Sequence, residues 1–128
     1  MKILVGYDGG APAKKALQLA KKHALAFGAT VHVITSMDKG NSLEAENRAL
    51  ENLEKVKSLF AEDGIKCQTH LLIRGTFPGE DIVDFAKDNK VDEIIVGVKK
   101  LSRVGKLLMG SNAQFVILEA QCPVVCVK

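Results

Sequence analysis

Strand-length apolar runs alternate with longer stretches of helical period along this chain, and that alternation limits the possible folds more than any other feature of the sequence. Ile3-Leu4-Val5 precede a segment in which Ala13, Ala16, Leu17, Ala20, Ala24 and Phe27 keep one apolar face. Lys14, Lys15, Lys21 and Lys22 fall mostly opposite, and Gly28 closes the helix. Thr30 to Thr35 reads as a second strand. Lys39-Gly40-Asn41-Ser42 is a loop ending in a cap for a long helix with the seam Leu43, Leu50, Leu53, Val56 and Phe60, which Gly64 stops. A third strand runs from Cys67 to Ile73, and Pro78 opens a short helix with Ile82, Phe85 and Ala86 inward. In the fourth strand, Val91 to Gly97, the run Ile94-Ile95-Val96 lacks alternation, as in parallel strands covered on both faces. Ser111 begins a last helix with Ala113, Val116, Ile117 and Ala120 on one side, and Pro123 forces the exit into Val124-Val125-Cys126-Val127.

Strands and helices in strict alternation, joined by right-handed crossovers, predict a three-layer α/β/α domain over residues 1–128. Its sheet is expected to be parallel and five-stranded, in the order 3-2-1-4-5 with the first strand central. The 128 residues are one domain's worth, and 47% hydrophobic with 26% charged residues exclude a disordered chain. Aromatic residues make up 5%, with no Trp and one Tyr, so the core is aliphatic and stacking platforms for single-stranded nucleic acid are scarce. No stretch approaches the roughly 18 apolar residues of a membrane span. The apolar run after Met1-Lys2 is broken by Asp8, too soon for a signal peptide, so a cytoplasmic location with no membrane partner is expected. Cys67, Cys122 and Cys126 form an odd set without zinc-ligand spacing and read as buried, reduced thiols.

In open sheets of this kind the ligand lies outside the carboxyl ends of the strands, where the strand order reverses. Here that point is between strands one and four, from which Gly6-Tyr7-Asp8-Gly9-Gly10 and Gly97 emerge. The net charge of +3 is concentrated nearby. Lys99, Lys100, Arg103 and Lys106 lie between Gly97 and Asn112 with no acid among them, while the rest of the chain is close to neutral. A local patch suits a phosphate-sized partner, whereas a nucleic acid takes a basic face or stripe, so no nucleic-acid partner is expected.

Gly110-Ser111-Asn112-Ala113-Gln114 has two readings: a capping box in which Ser111 caps and nothing binds, or a helix start whose N–H groups receive an anion past a bare glycine. Gly97 permits a tight turn and close approach of a ligand. Asp8 is either a turn residue or a partner for a ribose hydroxyl or a metal. Gly105-Lys106 is followed by Leu107, so there is no Walker A loop, and Gly6 to Gly10 is not G-x-G-x-x-G. A receiver domain is excluded because strand three ends at Arg74-Gly75 without a phosphoacceptor Asp. His23, His32 and His70 sit inside a helix and two strands without an evident nucleophile or base, so neither a catalytic residue nor a dedicated metal site is identified.

Gly97-x-x-Lys100, nine residues, then Gly110-Ser111, with Asp8 after the first strand and a terminal Cys122-Pro123-Val124-Val125, resembles the universal stress protein family along the whole chain. The nucleotide signature of that family is G-x-x-G, nine residues, G-[S/T]. The resemblance implies a Rossmann-like, adenine nucleotide α-hydrolase-like fold. It also implies a non-enzymatic stress-response or signalling module that binds ATP or AMP, with Mg²⁺ only together with the nucleotide. By the same resemblance, Gly6, Tyr7 and Asp8 approach adenosine and ribose, Val33 contacts adenine, and Val96 and Gly97 line the other wall. Gly110, Ser111, Asn112 and Ala113 receive the phosphates, and the basic residues Lys99, Lys100 and Arg103 add to them by charge. Lys100 replaces the second glycine of the signature and either obstructs the phosphates or contacts them. The family also implies a homodimer joined through the edge strand Val124 to Val127. The alternative is a homodimeric interaction protein of the branch that binds no nucleotide.

Overall fold

In a computed structural model of the chain, which describes residues 1–99 and 110–128, the first apolar run forms β1 (Lys2–Gly6) at the centre of the sheet. The other described elements are α1 (Ala11–Phe27), β2 (Thr30–Ser36), α2 (Leu43–Glu62), β3 (Cys67–Leu72), α3 (Pro78–Asp88), β4 (Glu93–Gly97), α4 (Ser111–Glu119) and β5 (Val124–Val127). The order β3-β2-β1-β4-β5 is the expected one, and every pairing is parallel, with Val5 opposite both Val33 and Ile95.

Alternation along β1 divides the core into two layers. Ile3 and Val5 pack with Ala16, Leu17 and Ala20 of α1 and with Leu53, Val56 and Phe60 of α2. Leu4 points the other way, into a layer with Ile82, Ala86 and Val116 from α3 and α4. The chain therefore has the three-layer α/β/α architecture, with β1 and β4 feeding helices on opposite faces.

The helix signals operate locally. Ser42 caps α2 by accepting the Ala45 N–H at 3.1 Å, and Gly28 ends α1 in the left-handed region at φ 65°. Four apolar positions differ from the expected seams, among them Ile117, which is exposed on α4. Phe27 is exposed and rests edge-on against His23, while Leu43 and Leu50 lie exposed on α2, whose buried stripe begins at Leu53. Of the cysteines, Cys67 is buried, with its thiol pushed up to about 11 by desolvation. Cys126 is exposed on β5, contrary to the expectation of a buried thiol.

Candidate functional site

β1 and β4 are direct neighbours, so their carboxyl ends form one crevice. At the β1 end the Tyr7 backbone is pinned to β2: its N–H donates to the Ile34 carbonyl at 2.8 Å, and its carbonyl accepts the Thr35 hydroxyl at 2.8 Å. Asp8 follows as a turn residue, Oδ1 accepting the Gly10 N–H at 2.8 Å, with the residue exposed at the mouth.

The β4 side is closed. A Cβ at Gly97 would lie 2.4 Å from the carbonyl carbon of Pro12, 2.5 Å from its oxygen and 2.6 Å from the Ala13 nitrogen. The first turn of α1 thus rests on the backbone at the end of β4, and this packing by itself requires glycine. Whatever Gly97 offers a ligand, its lack of a side chain makes room for a helix. Val96 is buried with Ile82 and Val116 in the α3–α4 layer, whereas Val33 is fully buried in the α1–α2 layer. The two valines therefore face opposite sides of the sheet and do not form opposing walls, which corrects that pairing. Lys99 is exposed just beyond β4, and Lys100, Arg103 and Lys106 lie outside the described residues.

The α4 side shows no such packing among the described residues. Gly110 is the N-cap, with ordinary extended angles (φ −60°, ψ 152°), and a Cβ built there meets nothing within 4 Å among the described residues. Neither backbone strain nor packing among the described residues requires a glycine at this position. The capping box does not form, because Ser111 occupies the first helical position, one beyond the cap, and the first helical bond runs from the Gln114 N–H to the Gly110 carbonyl at 3.1 Å. The N–H groups of Ser111, Asn112 and Ala113 precede that bond and have no acceptor within the helix. They are the positive end of the α4 dipole, and Ser111 is exposed beside them.

Asn112 is committed elsewhere, since its Oδ1 accepts the Gly79 N–H at 2.8 Å. It caps α3, whose own N-cap, Phe77, has no side-chain oxygen to offer. A second feature escaped the sequence reading: Asp81, fully buried in the first turn of α3, accepts the Ser36 hydroxyl at 2.8 Å and the Thr76 hydroxyl at 2.5 Å, with the Arg74 guanidinium 3.7 Å away. An acid in a first turn is the ordinary response to the helix dipole, so its burial left no mark in the sequence.

The histidines lie away from the crevice. His23 pairs with Glu93 at 2.5 Å, at the start of β4 and hence the opposite end of the sheet. His32 and His70 approach to 3.4 Å beneath Phe85, and burial holds both below the ordinary histidine range, with His32 further lowered by the charges of His70, Lys2 and Lys66. Among the described residues no three His, Cys, Asp or Glu side chains converge as a metal cluster, and no helix is long and apolar enough to cross a membrane.

The family model described as "Universal stress protein family" matches residues 1–128. A universal stress protein of Thermus aquaticus is 38% identical, the match covering 98% of this chain and 97% of that protein. A solved universal stress protein from Archaeoglobus fulgidus is 36% identical with a TM-score of 0.87, covering all of this chain and 93% of that one. Another from the same organism, solved in complex with dAMP, is 34% identical with a TM-score of 0.83 and covers all of this chain and 98% of that one. By strand order, by the glycine-bearing crevice at the β1–β4 reversal, and by the match along residues 1–128, the chain belongs to the universal stress protein family.

Proposed function

We propose that this chain binds an adenine nucleotide, AMP or ATP, in the β1–β4 crevice, without turning it over, as a homodimeric stress-response or signalling module. The observation that carries the proposal is the start of α4, where the N-cap Gly110 meets nothing within 4 Å among the described residues and the first N–H groups have no acceptor within the helix. Glycine suits an N-cap, and here it also leaves the backbone bare for an anion to approach. The dAMP complex of the Archaeoglobus relative gives that ligand its class.

The phosphates then meet the N–H groups of Ser111 to Ala113 and the Ser111 hydroxyl, with Lys99, Lys100 and Arg103 supplying positive charge. Gly6, Tyr7 and Asp8 run alongside the adenosine, and Val33 supports the sheet from the core without touching the base. Mg²⁺ enters only with the phosphates, near the exposed Asp8 carboxylate. Residues 1–128 act as one cytoplasmic domain, and β5, an edge strand with Cys126 exposed, pairs with the same strand of a second copy. Occupancy alters partner affinity only as far as nucleotide binds two states differently.

A homodimeric interaction protein without nucleotide is favoured by two features. Gly97 owes its lack of a side chain to Pro12, and Lys100 stands where the signature has glycine. The deciding experiment denatures freshly purified protein, identifies any released nucleotide by chromatography, and titrates the stripped protein with ATP and Mg²⁺ by calorimetry. Micromolar binding is expected. No released nucleotide and no heat at millimolar ATP would overturn the proposal in favour of the interaction protein.

A further inference from the structure

We propose that the first turn of α3 is the device that positions the phosphate-receiving end of α4, with the Asn112 side chain acting in positioning and not as a ligand contact. This rests on the nucleotide site proposed above. Three contacts join the two helix starts. The Gly79 N–H donates to Asn112 Oδ1 at 2.8 Å. A Cβ at Gly79 would lie 2.9 Å from the Asn112 carbonyl oxygen and 3.1 Å from its Cα, so the second residue of α3 sits directly on the α4 backbone. The Phe77 ring meets Phe115 of α4 edge to face, with centroids 4.8 Å apart.

The same turn is anchored to the strand ends that form the rest of the crevice. Asp81 holds Ser36, the last residue of β2, and Thr76 of the preceding loop. Ile82 packs against the end of β1, where a Cβ at Gly6 would come 2.7 Å from its Cδ1. The start of α3 thus ties β1, β2 and α4 together. Hydrogen bonds from backbone N–H groups to a phosphate weaken steeply with misalignment. Moving α4 by a fraction of an ångström therefore weakens the phosphate contacts while leaving those to the nucleoside in place.

The test compares AMP with adenosine on the full chain, using wild type, Gly79→Ala and Asn112→Ala. Gly79→Ala removes no polar group and pushes the helices apart, whereas Asn112→Ala removes the cap and adds no bulk, so it carries the test if Gly79→Ala does not fold. Both are expected to weaken AMP by at least about tenfold, since small misplacements of binding groups have effects of this size or more. Adenosine affinity is expected to hold. In the absence of ligand, hydrogen exchange at the Gly79 amide is expected to be slow in wild type and fast in Asn112→Ala.

Equal weakening of AMP and adenosine would overturn the inference, because it would mark a general structural defect. AMP weakened by Asn112→Ala but not by a folded Gly79→Ala would also overturn it, in favour of direct phosphate contact by Asn112. Unchanged exchange at Gly79 would remove the bond on which it stands. Wild type that binds neither ligand would refute the nucleotide site itself, and the positioning role with it.

Discussion

The two sides of the crevice carry glycines of one signature for different physical reasons. On the β4–α1 side, Gly97 is hemmed in by backbone atoms of Pro12 and Ala13 that cannot move without shifting the whole helix. On the α3–α4 side, Gly110 has ordinary angles and open space among the described residues, and the helix start is braced from behind by α3. One side spends its glycine on folding. The other leaves its glycine unpacked among the described residues, and its helix start is bonded to a neighbouring element.

The sharpest way to break this contrast is Gly97→Ala. A methyl group within 2.6 Å of three backbone atoms is overpacking of the severe kind, and a loss near the upper end of its usual range, about 3 kcal/mol, is expected. Urea denaturation measures it, and a variant as stable as wild type would erase the distinction. Gly110→Val is the counterpart: the loss of a favoured N-cap residue costs about 1 kcal/mol, well short of the Gly97 effect. Nucleotide affinity should meanwhile fall about ten- to a hundredfold, the equivalent of one lost charge-assisted hydrogen bond. Calorimetry that finds AMP binding untouched would detach Gly110 from the site.

Asp81→Asn sharpens the contrast from behind the α4 side. It keeps an acceptor for one of the two hydroxyls of Ser36 and Thr76 and leaves the other without a strong partner, at a cost of about 1 kcal/mol in thermal or chemical denaturation. An unchanged melting temperature would show that α3 is not held through this carboxylate.

The mildest perturbation is pH. Burial lowers both His32 and His70 below the ordinary value of 6.5, so the unfolded chain takes up protons there before the folded chain does. Stability from this pair is complete above 6.5 and declines as pH falls below it towards the folded values. The urea midpoint is expected to drop between pH 7.5 and pH 5.5, and less so in His32→Leu. A midpoint that rises on acidification would contradict the burial of the pair beneath Phe85.

Much of the fold was legible because its signals are local or periodic. Pro78, Ser42 and Gly28 act within one helical turn of themselves, and the uninterrupted Ile94-Ile95-Val96 marks a strand covered on both faces. The crevice followed from topology alone. What each site residue does was less legible. Ser111 has the spacing of a capping box, yet the helix starts one residue earlier, since Gly110 adopts the cap angles. Val33 and Val96 were placed on opposing walls, but strand register put their side chains in different core layers. That the Asn112 side chain caps α3 through Gly79 is announced by nothing in the sequence.

The sequence by itself determined the elements, their alternation and therefore a parallel sheet, since periodicity, caps and the handedness of crossovers depend on near neighbours in the chain, whereas the expected reversal between β1 and β4 took a strand order that pairs residues as distant as Ile3 and Glu93. Only the tertiary structure decided that Gly97 serves α1, that Asn112 caps α3 and that Asp81 is buried beneath Ser36 and Thr76. Each of those roles depends on an atom brought close by packing from a distant part of the chain or from the far side of a loop. Steric exclusion and hydrogen bonding act over distances in space, and the linear sequence does not record those distances.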